Sequence, residues 1–261
     1  MSCCDENTAR VPGFEVSRRS LFKGAALVTS VIPAARPGHA EAQGKSVKLA
    51  YCSQLLCGVP YEVARSAGIF KNHGLDVELV TQNPGLIKSG KGFTFEVTTG
   101  FAQAANYDAL WVPGGEPDAL ARLMGDPSRT YLDFLIQKAE RATYVCSVCD
   151  GTLLLAAAGL LDGYEATTHW AFIRCLTDRF PKVKVVEGHP RFHLDRNRLT
   201  GGGVSSGLDE ALKLIELLQG TAAAQEAQRM TQYYPCPPVT SVIPPAPIQF
   251  PLRACFGDES P

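Results

Sequence analysis

Twice between Asp108 and Leu161 the chain runs a short, mostly apolar segment into an abrupt turn and then into a stretch with helical spacing. Asp108-Ala109-Leu110-Trp111-Val112 stops at Pro113-Gly114-Gly115, and Tyr144-Val145-Cys146-Ser147-Val148 stops at Cys149-Asp150-Gly151. After the second turn Leu153, Leu154, Ala157, Leu160 and Leu161 share one helical face. Short strands without polar alternation are covered on both sides, which requires a mainly parallel sheet with helices packed on both faces.

The flanking sequence repeats that order. Val47–Tyr51 reads as a strand, Pro60–Phe70 as a helix, and Leu75–Val80, with apolar and acidic residues alternating, as a strand with one buried face. Residues 84–99 are rich in Gly, Lys and Thr and suit a hairpin or a loop. Helices fit Pro117–Met124, Tyr131–Glu140 and Thr168–Phe180, and strands fit Val183–Val186 and Arg198–Thr200. Gly207–Gln219 is amphipathic through Leu208, Ala211, Leu212, Ile215 and Leu218. The expected fold is an α/β, three-layer α/β/α sandwich with a flavodoxin-like, mostly parallel sheet, spanning residues 43–231. Six prolines between Pro235 and Pro247 make residues 232–261 an extended tail, which a Cys236–Cys255 bridge could staple.

The start of the chain has a different character. Ser17-Arg18-Arg19-Ser20-Leu21-Phe22-Lys23 precedes a mildly apolar run, Gly24–Ile32, and Ala40-Glu41-Ala42 offers a small-x-small cleavage site. Residues 1–42 therefore look like a twin-arginine export signal, with periplasmic delivery as the expectation. The alternative is a basic leader followed by a weak helix. Removing the five basic and four acidic residues of that segment leaves 20 and 22, a net charge of −2. With no Lys/Arg-rich block, the balance argues against nucleic acid and anionic membrane as partners.

Seven of the nine cysteines lie beyond the leader: Cys52, Cys57, Cys146, Cys149, Cys175, Cys236 and Cys255. The odd number leaves at least one thiol outside intrachain disulfides. Cys146-x-x-Cys149 has redox or zinc half-spacing, but no second pair accompanies it, so no metal is expected. Gly201-Gly202-Gly203 follows a strand but lacks the P-loop lysine and the spaced dinucleotide pattern, so no organic cofactor is implied.

Working groups in open parallel sheets collect at the carboxyl ends of strands. Cys149 falls at such an end, and Gly151 permits a sharp turn after it. A thiol at a helix start meets backbone N–H donors and the positive end of the helix dipole, both of which favour thiolate. A buried structural cysteine is the competing reading of the same position.

Val148-Cys149-x-Gly151, then Ala157-x-Gly159-Leu160-Leu161-Asp162-Gly163 and Ala166-Thr167-Thr168-His169-Trp170, resembles the ThiJ/PfpI superfamily and within it the isonitrile hydratase branch. Trp111-Val112-Pro113-Gly114-Gly115 and Leu199-Thr200-Gly201-Gly202-Gly203-Val204 are similar to further blocks of that branch, in the same order. The resemblance implies a nucleophilic Cys149, a neighbouring glutamate, here Glu62 in Pro60-Tyr61-Glu62-Val63, and an oxyanion site from the Gly115 and Asp150 amides. It also implies a small-molecule substrate and a homodimer. His169 is a supporting residue, either a base within reach of Cys149 or a helix cap.

Two departures bear on the reaction. The hydratase branch has Thr after the nucleophile, where this chain has Asp150, and an Asp shortly before the Pro-Tyr-Glu block, where it reads Gln54-Leu55-Leu56-Cys57-Gly58-Val59. Asp150 could replace the missing base, while its charge would oppose thiolate formation. The expected activity is hydration of a small electrophile, such as an isonitrile, or action on a reactive carbonyl. A redox sensor, with Cys149 oxidised or paired to Cys146, and a catalytically silent binding protein are the alternatives. Ala64–Val80 also resembles the opening of exported solute-binding proteins, which makes solute binding a further alternative.

Overall fold

The computed structural model describes residues 47–51, 75–88 and 94–245. The order is β1 Val47–Tyr51, β2 Leu75–Thr81, β3 Gly85–Lys88, β4 Thr94–Val97, β5 Thr99–Gly100, β6 Ala109–Val112, α1 Pro117–Gly125, α2 Thr130–Ala139, β7 Tyr144–Val148 and α3 Gly151–Ala157. There follow β8 Glu165–Ala166, a 3₁₀ turn Trp170–Phe172, α4 Ile173–Arg179, β9 Lys184–Val185, β10 Phe192–Asp195, β11 Arg198–Gly201, α5 Ser206–Gln219 and α6 Thr221–Thr231.

The main sheet has seven strands in the order β10-β11-β7-β6-β1-β2-β5. All pairs are parallel except β10 with β11. Alternation along the central strands sorts side chains into two cores. Leu110 and Val112 of β6 and Val145 of β7 pack with Leu120, Leu132, Leu135, Leu153, Leu154 and Leu176 from α1 to α4. Ala109, Trp111, Cys146 and Val148 face the other way, against Leu199 and Leu214, with Ala211 and Leu218 of α5 alongside. These two cores make the three-layer α/β/α sandwich.

In the stretch read as a hairpin or a loop the outcome agrees, since β3 and β4 pair antiparallel. Several other elements differ from the sequence reading. The helix expected from Thr168 begins with the 3₁₀ turn at Trp170, because the buried Thr167 and Thr168 are held in hydrogen bonds to neighbouring elements. Val183–Val186 contributes only β9, which pairs with β8 outside the main sheet. β10 was not expected from the sequence: its four residues are all half-buried and show no alternation. On α5 the buried positions are Ser206, Glu210 and Leu214, while Leu208 is 52% exposed. β2, within the segment resembling solute-binding proteins, is an inner strand of this sheet. The expected helix at 60–70 and Cys255 lie outside the described residues.

The carboxyl ends of β6 and β7 are level, with Trp111 opposite Cys146 and Val112 opposite Ser147. The turns leaving them therefore meet. A β-carbon on Gly151 would stand 2.4 Å from the Val112 carbonyl oxygen and 2.6 Å from that of Pro113. Any side chain there forces the start of α3 away from the end of β6. Gly151→Ala is expected to lower stability by about 1–3 kcal/mol, as overpacking against fixed atoms does, measured by urea denaturation with circular dichroism.

Candidate functional site

Cys149 leaves β7 with φ of 59°, the left-handed region that a residue with a side chain occupies only when held there. Its N–H lies 3.0 Å from the Gly201 carbonyl and 2.8 Å from that of Gly202, at the end of β11. Its carbonyl accepts a 2.7 Å hydrogen bond from the Thr168 hydroxyl. Both polar groups of the residue are thus tied to neighbouring elements, and the half-buried thiol stands at the corner between β7 and α3.

Behind this corner lies a run of fully buried hydroxyls. Ser147 Oγ and Thr152 Oγ1 are 2.9 Å apart, Thr152 donates to the Thr167 carbonyl at 3.1 Å, and the Thr167 N–H donates to Thr200 Oγ1 at 2.9 Å. This network joins β7, α3, β11 and the segment carrying Thr168, so the anchor on the Cys149 carbonyl is itself fixed.

Asp150 is only 2% exposed. Its Oδ1 accepts the Gly115 N–H at 3.0 Å. The carboxyl fits because Gly114 has no side chain: a β-carbon there would fall 2.1 Å from Oδ1 and 2.9 Å from Cys149 Cβ. Burial raises the pKa of Asp150, with a smaller upward push from Glu116. Hydrogen bonds from the Gly115 N–H, the Cys149 side chain and the Asp150 N–H itself pull the other way. The two amides expected from the resemblance to hold an oxyanion therefore both meet the carboxyl of Asp150.

Cys149, Asp150, Gly114, Gly115 and Gly151 thus come together at one corner. His169 sits beyond Thr168, and a β-carbon on Gly203 would lie 3.1 Å from its Cδ2. Its Nδ1 accepts the Ala171 N–H at 3.2 Å, which caps the 3₁₀ turn and puts the proton of the neutral ring on Nε2. Burial lowers its pKa and favours that neutral form. In this state His169 is a cap and a donor. Glu62 lies outside the described residues.

The Cys146–Cys149 pairing fails on geometry. Three extended residues separate Cα atoms by about 10 Å, beyond the span of roughly 7 Å that a disulfide bridges, and Cys146 is fully buried. Cys175, by contrast, is disulfide-bonded. Among the described residues no three His, Cys, Asp or Glu side chains gather as metal ligands.

One buried group escaped the sequence reading. Glu210 of α5 is fully buried, and a β-carbon on Gly201 would stand 2.2 Å from its Oε2. The Ser147 backbone N–H draws its pKa down, but neither carboxyl oxygen completes a well-formed hydrogen bond among the described residues. Desolvation dominates and pushes the pKa well above its ordinary 4.5. The nearby Cys146 thiol is raised first by burial and then by Glu210. The available signal was a glutamate four residues from both Ser206 and Leu214, on the buried stripe of α5.

A DJ-1/PfpI family model matches residues 59–217. The isonitrile hydratase of Pseudomonas putida is 38% identical over 185 residues, covering 71% of this chain and 75% of that enzyme. The HTH-type transcriptional regulator GbdR of Pseudomonas aeruginosa is 33% identical over 106 residues, 41% of this chain and 28% of the regulator. The crystal structure of a ThiJ/PfpI family protein from Pseudomonas syringae superposes with a TM-score of 0.65 at 30% identity, covering 80% of this chain and 86% of that one.

The Glu210 geometry makes stability depend on pH. Between the ordinary glutamate pKa and the raised native one, the folded chain keeps a proton that the unfolded chain has released, so stability falls as pH rises. Asp150 acts in the same direction. Glu210→Gln removes one of the two contributions: the drop in Tm between pH 5 and pH 8, followed by differential scanning calorimetry, is expected to be smaller than in the wild type.

Proposed function

The chain belongs to the DJ-1/PfpI family, and on that premise we propose that it is a cysteine-dependent enzyme of hydratase type, adding water to a small electrophile such as an isonitrile. The observation that carries this reading is the pairing of a half-buried Cys149 thiol with a buried, hydrogen-bonded Asp150 carboxyl at one strand end. Similarity to an isonitrile hydratase over most of both chains supports it.

For an isonitrile the steps balance as follows. The Asp150 carboxylate takes the thiol proton, and Sγ bonds to the terminal carbon, whose lone pair then takes that proton back from Asp150. The product is a thioimidate, S–CH=N–R. Asp150 next takes a proton from water, the hydroxyl oxygen bonds to the same carbon, and the proton passes to nitrogen. The carbon–sulfur bond then breaks as the hydroxyl proton returns through Asp150 to Sγ, releasing an N-substituted formamide. The net change is one water added. Raising the carboxyl pKa by burial narrows its gap with the thiol and makes each transfer easier in both directions.

Asp150 thereby fills the place of the carboxylate that the resemblance expects before Glu62, and does so from the chain position after the nucleophile. Export by the twin-arginine route from residues 1–42 and a homodimeric state complete the proposal. Local similarity to helix-turn-helix regulators favours a second reading, a silent small-molecule-binding domain.

Purified protein is expected to convert a small alkyl isonitrile to its formamide, followed by chromatography. Cys149→Ser is expected to abolish turnover, and Asp150→Asn to lower kcat by about 10²–10⁴ with a smaller change in KM, the usual weight of acid–base catalysis. Turnover retained by Cys149→Ser would overturn the reading. Unchanged ligand affinity in that variant, without turnover in the wild type, is the outcome expected of the silent domain.

A further inference from the structure

We propose that the Asp150 carboxyl is a built-in occupant of the corner where an oxyanion would bind, so that the site accepts neutral carbon electrophiles and rejects substrates whose addition step places negative charge on oxygen. The inference rests on Cys149 being the reacting thiol, the reading given above.

An acyl-transfer or carbonyl-addition site needs donors aimed at the oxygen that becomes charged beside the attacking sulfur. Here the Gly115 N–H lies beside Cys149, at a corner formed by two level strand ends, and it already donates to Asp150 Oδ1 at 3.0 Å. The oxygen rests in the space left by the missing Gly114 side chain, 2.1 Å from where a β-carbon would be and on the same side as Cys149 Cβ. A substrate oxyanion would have to share that space with a carboxyl that is 98% buried, which sterics and like charge both oppose.

Addition of a thiolate to an isonitrile makes no such demand. The electron pair develops on the carbon that Sγ attacks, and that carbon needs a proton, which the adjacent carboxyl supplies. Esters, amides and aldehydes develop charge on oxygen and need the amide that Asp150 already occupies. The residue that transfers protons is therefore also the one that sets substrate class.

The test reads occupancy of the corner without requiring turnover. Alkylation of Cys149 by iodoacetamide is timed with and without acetate, a probe for a vacant carboxylate site, in the wild type, in Asp150→Asn and in Asp150→Gly. In Asp150→Gly the corner is vacated, and acetate at about four times its Kd is expected to slow alkylation by about fivefold. In the wild type and in Asp150→Asn, which keep the corner filled, the rate is expected to be unchanged by acetate. Equal protection of the wild type, or none in Asp150→Gly, overturns the proposal. Asp150→Ser, which also clears Oδ1, replaces the glycine variant if circular dichroism shows that the latter does not fold. Because turnover is not measured, this result stands apart from the Cys149→Ser assay on which the enzymatic reading depends.

Discussion

A left-handed backbone at Cys149 costs about 1–3 kcal/mol for a residue with a β-carbon, and the rest of the site depends on that cost being met. It is met from two sides. β11 ends beside β7, so the Gly201 and Gly202 carbonyls take the Cys149 N–H, and the chain returning through Thr168 takes the Cys149 carbonyl. Peptide planarity gives the second bond its consequence. With the Cys149 carbonyl pinned toward Thr168, the Asp150 N–H on the same peptide points the opposite way. One hydroxyl, distant in sequence from the thiol, therefore orients the peptide group after Cys149.

The glycines work by what they omit. Gly151 lets the start of α3 touch the Val112 and Pro113 carbonyls, and Gly114 lets a carboxyl stand where its own side chain would be. Both contacts come from β6 and β7 ending level. Parallel register thus turns two separate turns into a single corner, and the corner is too tight for any residue except glycine at those two positions.

What could be read from the sequence follows the same division. Buried parallel strands announce themselves as apolar runs stopped by turn residues, so β6, β7 and the corner at Cys149 were legible, as were α1 and α2. β10 was not, because its four half-buried residues carry no periodicity. Neither was the role of Thr168, whose hydroxyl looks like a helix start until the fold brings it beneath Cys149. The α5 face was read from Leu208 and its neighbours, yet the stripe that docks on the sheet runs through Glu210, and a glutamate in a helix of mixed composition signals solvent. The oxyanion amides were read from the resemblance; that the following side chain would itself meet them depends on Asp standing where that branch has Thr, a difference whose geometry no one-dimensional pattern contains.

Two buried carboxyls flank this region from opposite layers, and their surroundings assign them different work. Glu210 has desolvation against it and only the Ser147 N–H on its side, so its pKa is pushed well up and its uncharged form is favoured against Gly201. Asp150 is as deeply buried but receives N–H donors and the Cys149 side chain, which stabilise negative charge. Of the two, Asp150 is the one whose surroundings also support its charged form. Favouring the uncharged form of Glu210 limits negative charge on the α5 side of the sheet, whereas on the side of Asp150 the Glu116 charge adds to the upward push on its pKa. In the reaction proposed above, this asymmetry, set by backbone donors rather than by side-chain type, is what suits Asp150 rather than Glu210 to exchange a proton with Sγ.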